Sequence, residues 1–354
     1  MSAARDHLRA IAHFSRPAGS AAEATVRSYC QAILIEAGFV VRHRWFEYSS
    51  FPGRWGTPIA GALTALTFLA AGHFGTHGQP RAALALLLAG ALVLGVCGWW
   101  LGRRGVLDLP FARLGGNNLV AARGTPTVWL VAHLDSKSQP IPIGVRAVAI
   151  MASIALWIVA AALASAQLLD LARDWLWIPL TILGVLASLI VAASLVGDRS
   201  QGALDNASGV ATVLRVAELC PRDLSLGLLL TTAEELGLAC ARAVARDAPV
   251  SQAINVDGID DGGTLRLSYT GRFPRALVAR LGGGWPAPKR LPPGLLMDGV
   301  AFADAGWEVI NISRGDWRTV ARIHTPRDDL AHLEGSGAEA LAVMLADAIA
   351  AGRR

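Results

Sequence analysis

Residues 224–238 read LSLGLLLTTAEELGL. Leu224–Thr231 is a near-continuous apolar run, the pattern of a strand buried on both faces. The run ends in polar residues, and two adjacent glutamates, Glu234 and Glu235, follow within a few positions. Residues 127–135, TVWLVAHLD, repeat the design: an apolar strand that ends in His133 and Asp135. Outward from these, 20–37 reads as a helix capped by Gly38, and a strand runs from Phe39 to about Tyr48. Asn117–Arg123 is a short strand followed by the turn Gly124-Thr125-Pro126. The spacing predicts helices over 207–219 (stopped by Pro221), 236–246 and 336–351. Further strands are expected at Ala253–Val256, 264–269 and Gly306–Ile312. The stretch 271–297, with Gly282-Gly283-Gly284 and several prolines, reads as loop-rich. Strands alternating with helices predict an α/β class, a three-layer α/β/α sandwich around a mostly parallel sheet.

The composition does not fit a soluble sandwich alone. The chain has 354 residues, 53% hydrophobic and only 17% charged, with a mean hydropathy of +0.43. Soluble domains carry about 25% charged residues. The Gly and Pro have no period, which excludes a collagen-like chain, and the apolar content excludes disorder. The charges are not evenly thinned. No Asp, Glu, Lys or Arg occurs in 55–80, 82–102, 147–169 or 175–197. Each run reaches the roughly 20 residues that a bilayer-spanning helix needs. The first is the weakest, strongly apolar only over about 58–72. They pair into two expected transmembrane hairpins, 55–102 with its tip at Gly78-Gln79-Pro80, and 147–197. Trp55, Trp99 and Trp100 would form an aromatic belt, with Trp175 and Trp177 at the far tip of the second hairpin. The segments 1–54, 103–146 and 198–354 would then form one discontinuous domain of normal charge.

The net charge of +5 follows the same division. Arg42, Arg44, Arg54, Arg103, Arg104, Arg146 and Arg199 lie on the side shared by both termini, whereas the tips carry only Arg81 and Arg173. The positive-inside rule puts the polar segments in the cytoplasm, as for a protein of a bacterial plasma membrane. The lipid bilayer is thus an expected partner. A nucleic-acid role is set aside, because no basic–aromatic array occurs. The spans hold no Asp, Glu, Lys or Arg to mark an ion path, which argues against a transporter. The N-terminus has no long apolar stretch, so no signal peptide is expected. The four cysteines (Cys30, Cys97, Cys220, Cys240) form no CxxC pair and are expected reduced; a Cys220–Cys240 disulfide would need an oxidising compartment.

Acidic and imidazole residues gather at the C-terminal ends of the expected strands, where open α/β sheets bind ligands. His133 and Asp135 stand at i and i+2 and so share a face; they form either a metal ligand with its orienting carboxylate or a surface pair. Asp205 opens a helix in GALDNASGVA (202–211), as a ligand or an N-cap. Glu234 and Glu235 diverge as neighbours do, fitting two roles, metal ligand and proton carrier, or a solvated pair. Asp257 follows the strand Ala253–Val256, while Asp260 and Asp261 read as turn residues. His324 lies in RIHTPRDDL, as a ligand or a solvent-facing loop residue. Together, two His, two Asp and one Glu make a nitrogen–oxygen ligand set for two zinc ions, with a second Glu left as base.

In order and wording these stretches resemble metallopeptidase family 28, the di-zinc aminopeptidase-like enzymes. HLDS (133–136), GALDNASGVA (202–211), TTAEELGL (231–238), NVDG (255–258) and IHTPRDD (323–329) carry the resemblance. SRPAGSAAEATVRSY and MDGVAFADAG (297–306) fit more loosely. The resemblance implies a zinc-exopeptidase-like domain that hydrolyses peptides, most simply as an aminopeptidase. It implies that His133 and Asp257 bind one zinc, Glu235 and His324 the other, and Asp205 bridges both. Glu234 would be the general base for the attacking water, and Asp135 would orient His133. Other family chemistry (carboxypeptidase, dipeptidase or glutaminyl-cyclase-like) and a non-catalytic membrane scaffold stay open as alternatives. Two departures stand out. A hydrophobic insert separates the first two motifs, and Gly299 stands where relatives often have His.

Overall fold

In the computed structural model, residues 3–352 are described. The strands are β1 (Val40–Ser49), β2 (Arg113–Arg123), β3 (Val128–His133), β4 (Leu226–Thr231), β5 (Gln252–Ile259), β6 (Thr264–Tyr269), β7 (Lys289–Arg290) and β8 (Glu308–Gly315). They form one sheet in the order β1-β2-β4-β3-β5-β8-β6-β7. The central strands β4, β3, β5 and β8 are parallel. β2 joins β4 antiparallel, β1 joins β2 antiparallel, and β6 joins β8 antiparallel, so the sheet is mixed.

The apolar strands are apolar throughout because both sheet faces are covered. Leu228, Leu230, Leu130, Ala132, Ile254, Val256, Ile310 and Ile312 enter one core. Their alternate neighbours Leu229, Val131, Ala253 and Val309 enter a second core on the other face. Helices Ala3–Ile11, Ala21–Glu36, Ser208–Leu219 and Ser336–Ala351 close the first core. Ala239–Asp247 and Asp298–Asp304 close the second. Each fully buried leucine contributes about 1.5–3 kcal/mol.

Several boundaries differ from the sequence pattern, for local reasons. β2 begins at Arg113, because Gly115 and Gly116 pair with Glu47 and Phe46 and the Phe46 ring lies over Gly116. The helix expected from 236 begins at Ala239, since Gly237 and Leu238 take positive φ. The stretch 271–297 is not all loop: Arg275–Leu281 is helical, with Leu277 and Leu281 buried at i, i+4 spacing. The helix Ala3–Ile11 was not evident, although Ala4, Leu8 and Ile11 bury one stripe of it. All four cysteines are free thiols.

The chain divides into two compact units: Met1–Ser49 with Leu107–Ser138 and Asp198–Arg354, and Ser50–Val106 with Gln139–Gly197. In the first unit each insertion leaves and returns at nearly one point. β1 ends with Ser49 paired to Arg113, and Ser49 Oγ donates to Phe111 O at 2.9 Å. The Arg199 N–H donates to Ser138 Oγ at 2.8 Å, and Ser136 Oγ donates to Ser200 O at 3.2 Å. The sheet therefore closes as it would with short loops.

The second unit holds helices Phe51–Thr76, Pro80–Trp100, Ile143–Leu168 and Trp177–Ala192. Phe68, Ala71, Leu87, Ala160, Ala164, Trp177 and Leu180 form its core. Its polarity is inverted. Small residues face inward: a Cβ at Gly61 would stand 2.4 Å from Ala192 N, and one at Gly184 2.6 Å from Phe68. Leu66, Leu92, Val148, Met151, Ile158 and Ile182 are exposed. Small residues between helices and large apolar residues outside are the arrangement of helices packed in lipid. Among the described residues, four helices are long and apolar enough to cross a membrane.

Candidate active site

The parallel strands bring the polar ends together. His133 is the last residue of β3 and stands beside Thr231, the last of β4. β3 pairs with β5 up to Val131 opposite Asn255; β3 ends two residues further at His133, and Asp257 stands two residues past Asn255 within β5, which continues to Ile259 rather than stopping at Val256. Glu234 and Glu235 follow β4 in a turn set by Ala233 at φ 58°. Asp205 lies in the turn that enters helix Ser208–Leu219. His324 follows the short helix Trp317–Arg322, which Asp316 caps through the N–H groups of Arg318 and Thr319.

Among the described residues, two groups of candidate ligands result: His133, Glu234 and Asp257, and Asp205, Glu235 and His324. Their side chains are 1–12% exposed. Asp205 joins the groups. Its Oδ1 lies 3.0 Å from His133 Nε2 and its Oδ2 lies 3.1 Å from His324 Nε2. His133 Nε2 is also 3.7 Å from Asp257 Oδ1 and 4.0 Å from Glu234 Oε2. His324 Nε2 is 3.2 Å from Glu235 Oε2. The donor set fits divalent cations. Buried His133 Nε2 and Glu235 Oε1 make no hydrogen bond. Four buried carboxylates converge on two imidazoles, an excess of negative charge that burial penalises until a cation offsets it. Imidazole with carboxylate is a zinc-type donor set.

A second layer holds these groups. His133 Nδ1 lies 3.0 Å from the main-chain O of Asp135, which sets the ring, while the Asp135 carboxylate is 3.6 Å away. That carboxylate accepts instead from the N–H groups of Glu234 (3.1 Å) and Glu235 (3.2 Å), tying the β3 end to the glutamate turn. Asp328 accepts from Leu204 N and Asp205 N and so fixes the Asp205 turn. The fully buried Arg16 donates to Leu134 O (2.8 Å), Gln201 O and Gly202 O (3.0 Å), joining the His133 and Asp205 loops. Asn206 spans the next gap: its Nδ2 donates to Val256 O, and its Oδ1 accepts from Gly209 N and Gly258 N. Gly209 is required there, since a Cβ would lie 2.2 Å from Asn206 Oδ1 and 2.4 Å from Val256 O. Gly209→Ala is expected to destabilise the protein by about 1–3 kcal/mol, read as a lower midpoint in chemical denaturation.

Electrostatics separates the two glutamates. Burial pushes Glu234 well above the usual carboxylate range; His133 opposes this, and Glu235, Asp257 and Asp298 add to it. Burial also pushes on Glu235, but Lys137 and His324 outweigh it and hold Glu235 low. Burial likewise acts on Asp205, and the His133 and His324 imidazoles hold it well below its ordinary value. A carboxylate raised beside one lowered is how proton carriers and charge-holding ligands divide.

Four groups around the site were not singled out from the sequence. Lys137 forms an ion pair with Glu235. Buried Asp298 accepts from Thr231 Oγ1 at 2.5 Å, and burial raises it to about 6. Glu23 reaches Thr232 Oγ1, and burial raises it to about 7. Arg16 is the fourth. The one signal available for Lys137 was its identity, a lysine directly after HLDS in an arginine-rich chain. Gly299 also has its reason: a Cβ would lie 2.1 Å from Asn311 Oδ1, so no histidine fits.

Known proteins share this framework. Residues 188–349 match peptidase family M28. Among solved structures, the aminopeptidase from Aneurinibacillus sp. strain AM-1 is similar at 14% identity, over 98% of this chain and 92% of that one, with a TM-score of 0.55. The zinc aminopeptidase BSAP from Bacillus subtilis is similar at 14% identity, over 98% and 93%, with a TM-score of 0.54. Porphyromonas gingivalis glutaminyl cyclase is similar at 14% identity, over 98% and 97%, with a TM-score of 0.55. No curated protein sequence matches. At these identities the solved structures establish the aminopeptidase-like fold, and the matched segment contains Asp205, Glu234, Glu235, Asp257 and His324. Residues 188–349 thus match peptidase family M28, within a chain whose fold is aminopeptidase-like.

Proposed function

We propose that this protein is a membrane-embedded di-zinc exopeptidase that acts as an aminopeptidase on peptide substrates. The observation that carries the proposal is the Asp205 carboxylate, with one oxygen toward His133 and the other toward His324. His133 and Asp257 would hold one ion, Glu235 and His324 the other, and Asp205 both. The bound ions would supply Lewis acidity for the scissile carbonyl and the attacking water. Glu234 takes the water proton and returns it to the leaving amine, a role supported by its burial and raised proton affinity. Asp135 keeps Glu234 in reach by accepting from its main-chain N–H.

A second reading, glutaminyl-cyclase-like chemistry, is favoured by the equal TM-scores of 0.55 to an aminopeptidase and a glutaminyl cyclase. One experiment separates the two. Purified protein is incubated with a peptide library that includes N-terminal glutamine, with zinc or with a chelator, and products are read by mass spectrometry. The expected result is chelator-sensitive loss of single N-terminal residues. Loss of ammonia confined to glutamine peptides would replace the aminopeptidase reading with the cyclase one.

The four apolar helices are read as two hairpins crossing the bilayer, with the catalytic unit in the cytoplasm. Charge-free spans and arginines gathered on the termini side support this. Tags at either terminus should resist labelling in intact cells, and labels at residues 78 and 171 should not.

A further inference from the structure

The chain contains two lysines, Lys137 and Lys289, and its other 30 basic residues are arginine. One of the two stands at the site. Lys137 Nζ lies 2.7 Å from Glu235 Oε2 and donates to the main-chain O of the same residue at 3.3 Å. The Lys137 side chain is 18% exposed, and among the described residues its hydrogen bonds and ion pair all go to Glu235. An ammonium is a compact charge with three rotatable donors and can serve two acceptors on one residue. A guanidinium is a planar fork that needs two coplanar acceptors.

The contact restrains Glu235. With Oε2 held by Lys137 and 3.2 Å from His324 Nε2, the carboxylate cannot rotate without breaking the ion pair. Oε1, buried and without a hydrogen-bond partner, is thereby kept available. The His133–Asp257 side has no such support from Lys137.

We propose that Lys137 is a positioning residue for the cation site of Asp205, Glu235 and His324, and that the site of His133 and Asp257 does not depend on it. This rests on the di-metal reading above. Two effects oppose each other at Lys137. Its charge repels a dication, and its grip holds a ligand ready. The charge is already offset by Glu235 at 2.7 Å. The groups that hold a metal ligand in place are worth about 10–100-fold in metal affinity. The grip therefore prevails.

The test uses the full-length protein in detergent, titrated with zinc against a chromophoric chelator. Wild type should take up two equivalents. Asp257→Ala should retain the equivalent assigned to Asp205, Glu235 and His324. Adding Lys137→Met to Asp257→Ala should weaken that equivalent about 10–100-fold. Lys137→Met alone should leave one wild-type equivalent and one weakened. Lys137→Arg should recover only part of the loss, because the charge returns without the shape. Zinc-induced stabilisation should shrink in Lys137→Met, alongside a lower melting temperature in chelator, because buried Glu235 loses its counter-charge. A purely structural lysine would lower the melting temperature in chelator and leave both zinc affinities at their wild-type values. Unchanged or tighter zinc binding in Lys137→Met overturns the proposal. If that variant does not fold, Lys137→Gln in the Asp257→Ala background is read the same way. Wild type that binds no zinc overturns the di-metal reading itself, and with it this one.

Discussion

Glu234→Gln is expected to lower kcat by about 10²–10⁴-fold, the usual contribution of a positioned general base, with two zincs still bound. Glutamine keeps the size and polarity of the side chain. The Glu234 main-chain N–H still donates to Asp135, so the turn keeps its place. What disappears is the proton acceptor. The substitution also removes a buried carboxylate surrounded by Glu235, Asp257 and Asp298. The melting temperature in chelator should therefore rise rather than fall. Activity, metal content and stability then move in three different directions, which no general unfolding reproduces. Loss of zinc together with activity would make Glu234 a ligand of the His133–Asp257 group instead.

Asp205→Ala is expected to remove both zincs and to reduce hydrolysis to the level seen in chelator. Each of its oxygens faces a different imidazole, so a single truncation leaves both groups short of a donor. Asp257→Ala touches only one group and should cost one equivalent. The fold should survive Asp205→Ala, because Asp328 holds the turn through main-chain N–H groups, which alanine keeps. Metal analysis that finds two zincs in folded Asp205→Ala protein would eliminate the bridge.

Much of this molecule is legible in the chain itself. The apolar runs at 128–133 and 226–231 imply strands covered on both sides, and His133, Glu234 and Glu235 come at their ends. The charge-free runs stand out because stretches long and apolar enough to cross a membrane rarely carry charged residues. Fine boundaries were less legible. Arg275–Leu281 hides among glycines and prolines, since a seven-residue helix shows only two core positions. The β2 start hides in Gly115-Gly116, whose role is to admit a ring from β1.

The sequence by itself determined which residue types stand at the ends of which strands, and that four apolar stretches interrupt them. Period-2 patterning and span length are local properties, so they survive in one dimension. Only the tertiary structure decided how those ends meet. It placed the Asp205 oxygens between two histidines that lie 191 positions apart in the chain. It set the Asp135 carboxylate on the N–H groups of the glutamate turn as well as 3.6 Å from His133 Nδ1. It set Lys137 on Glu235, nearly a hundred positions away. Such pairings depend on strand order and on insertions that leave and return at one point, and neither is encoded in any local window of residues.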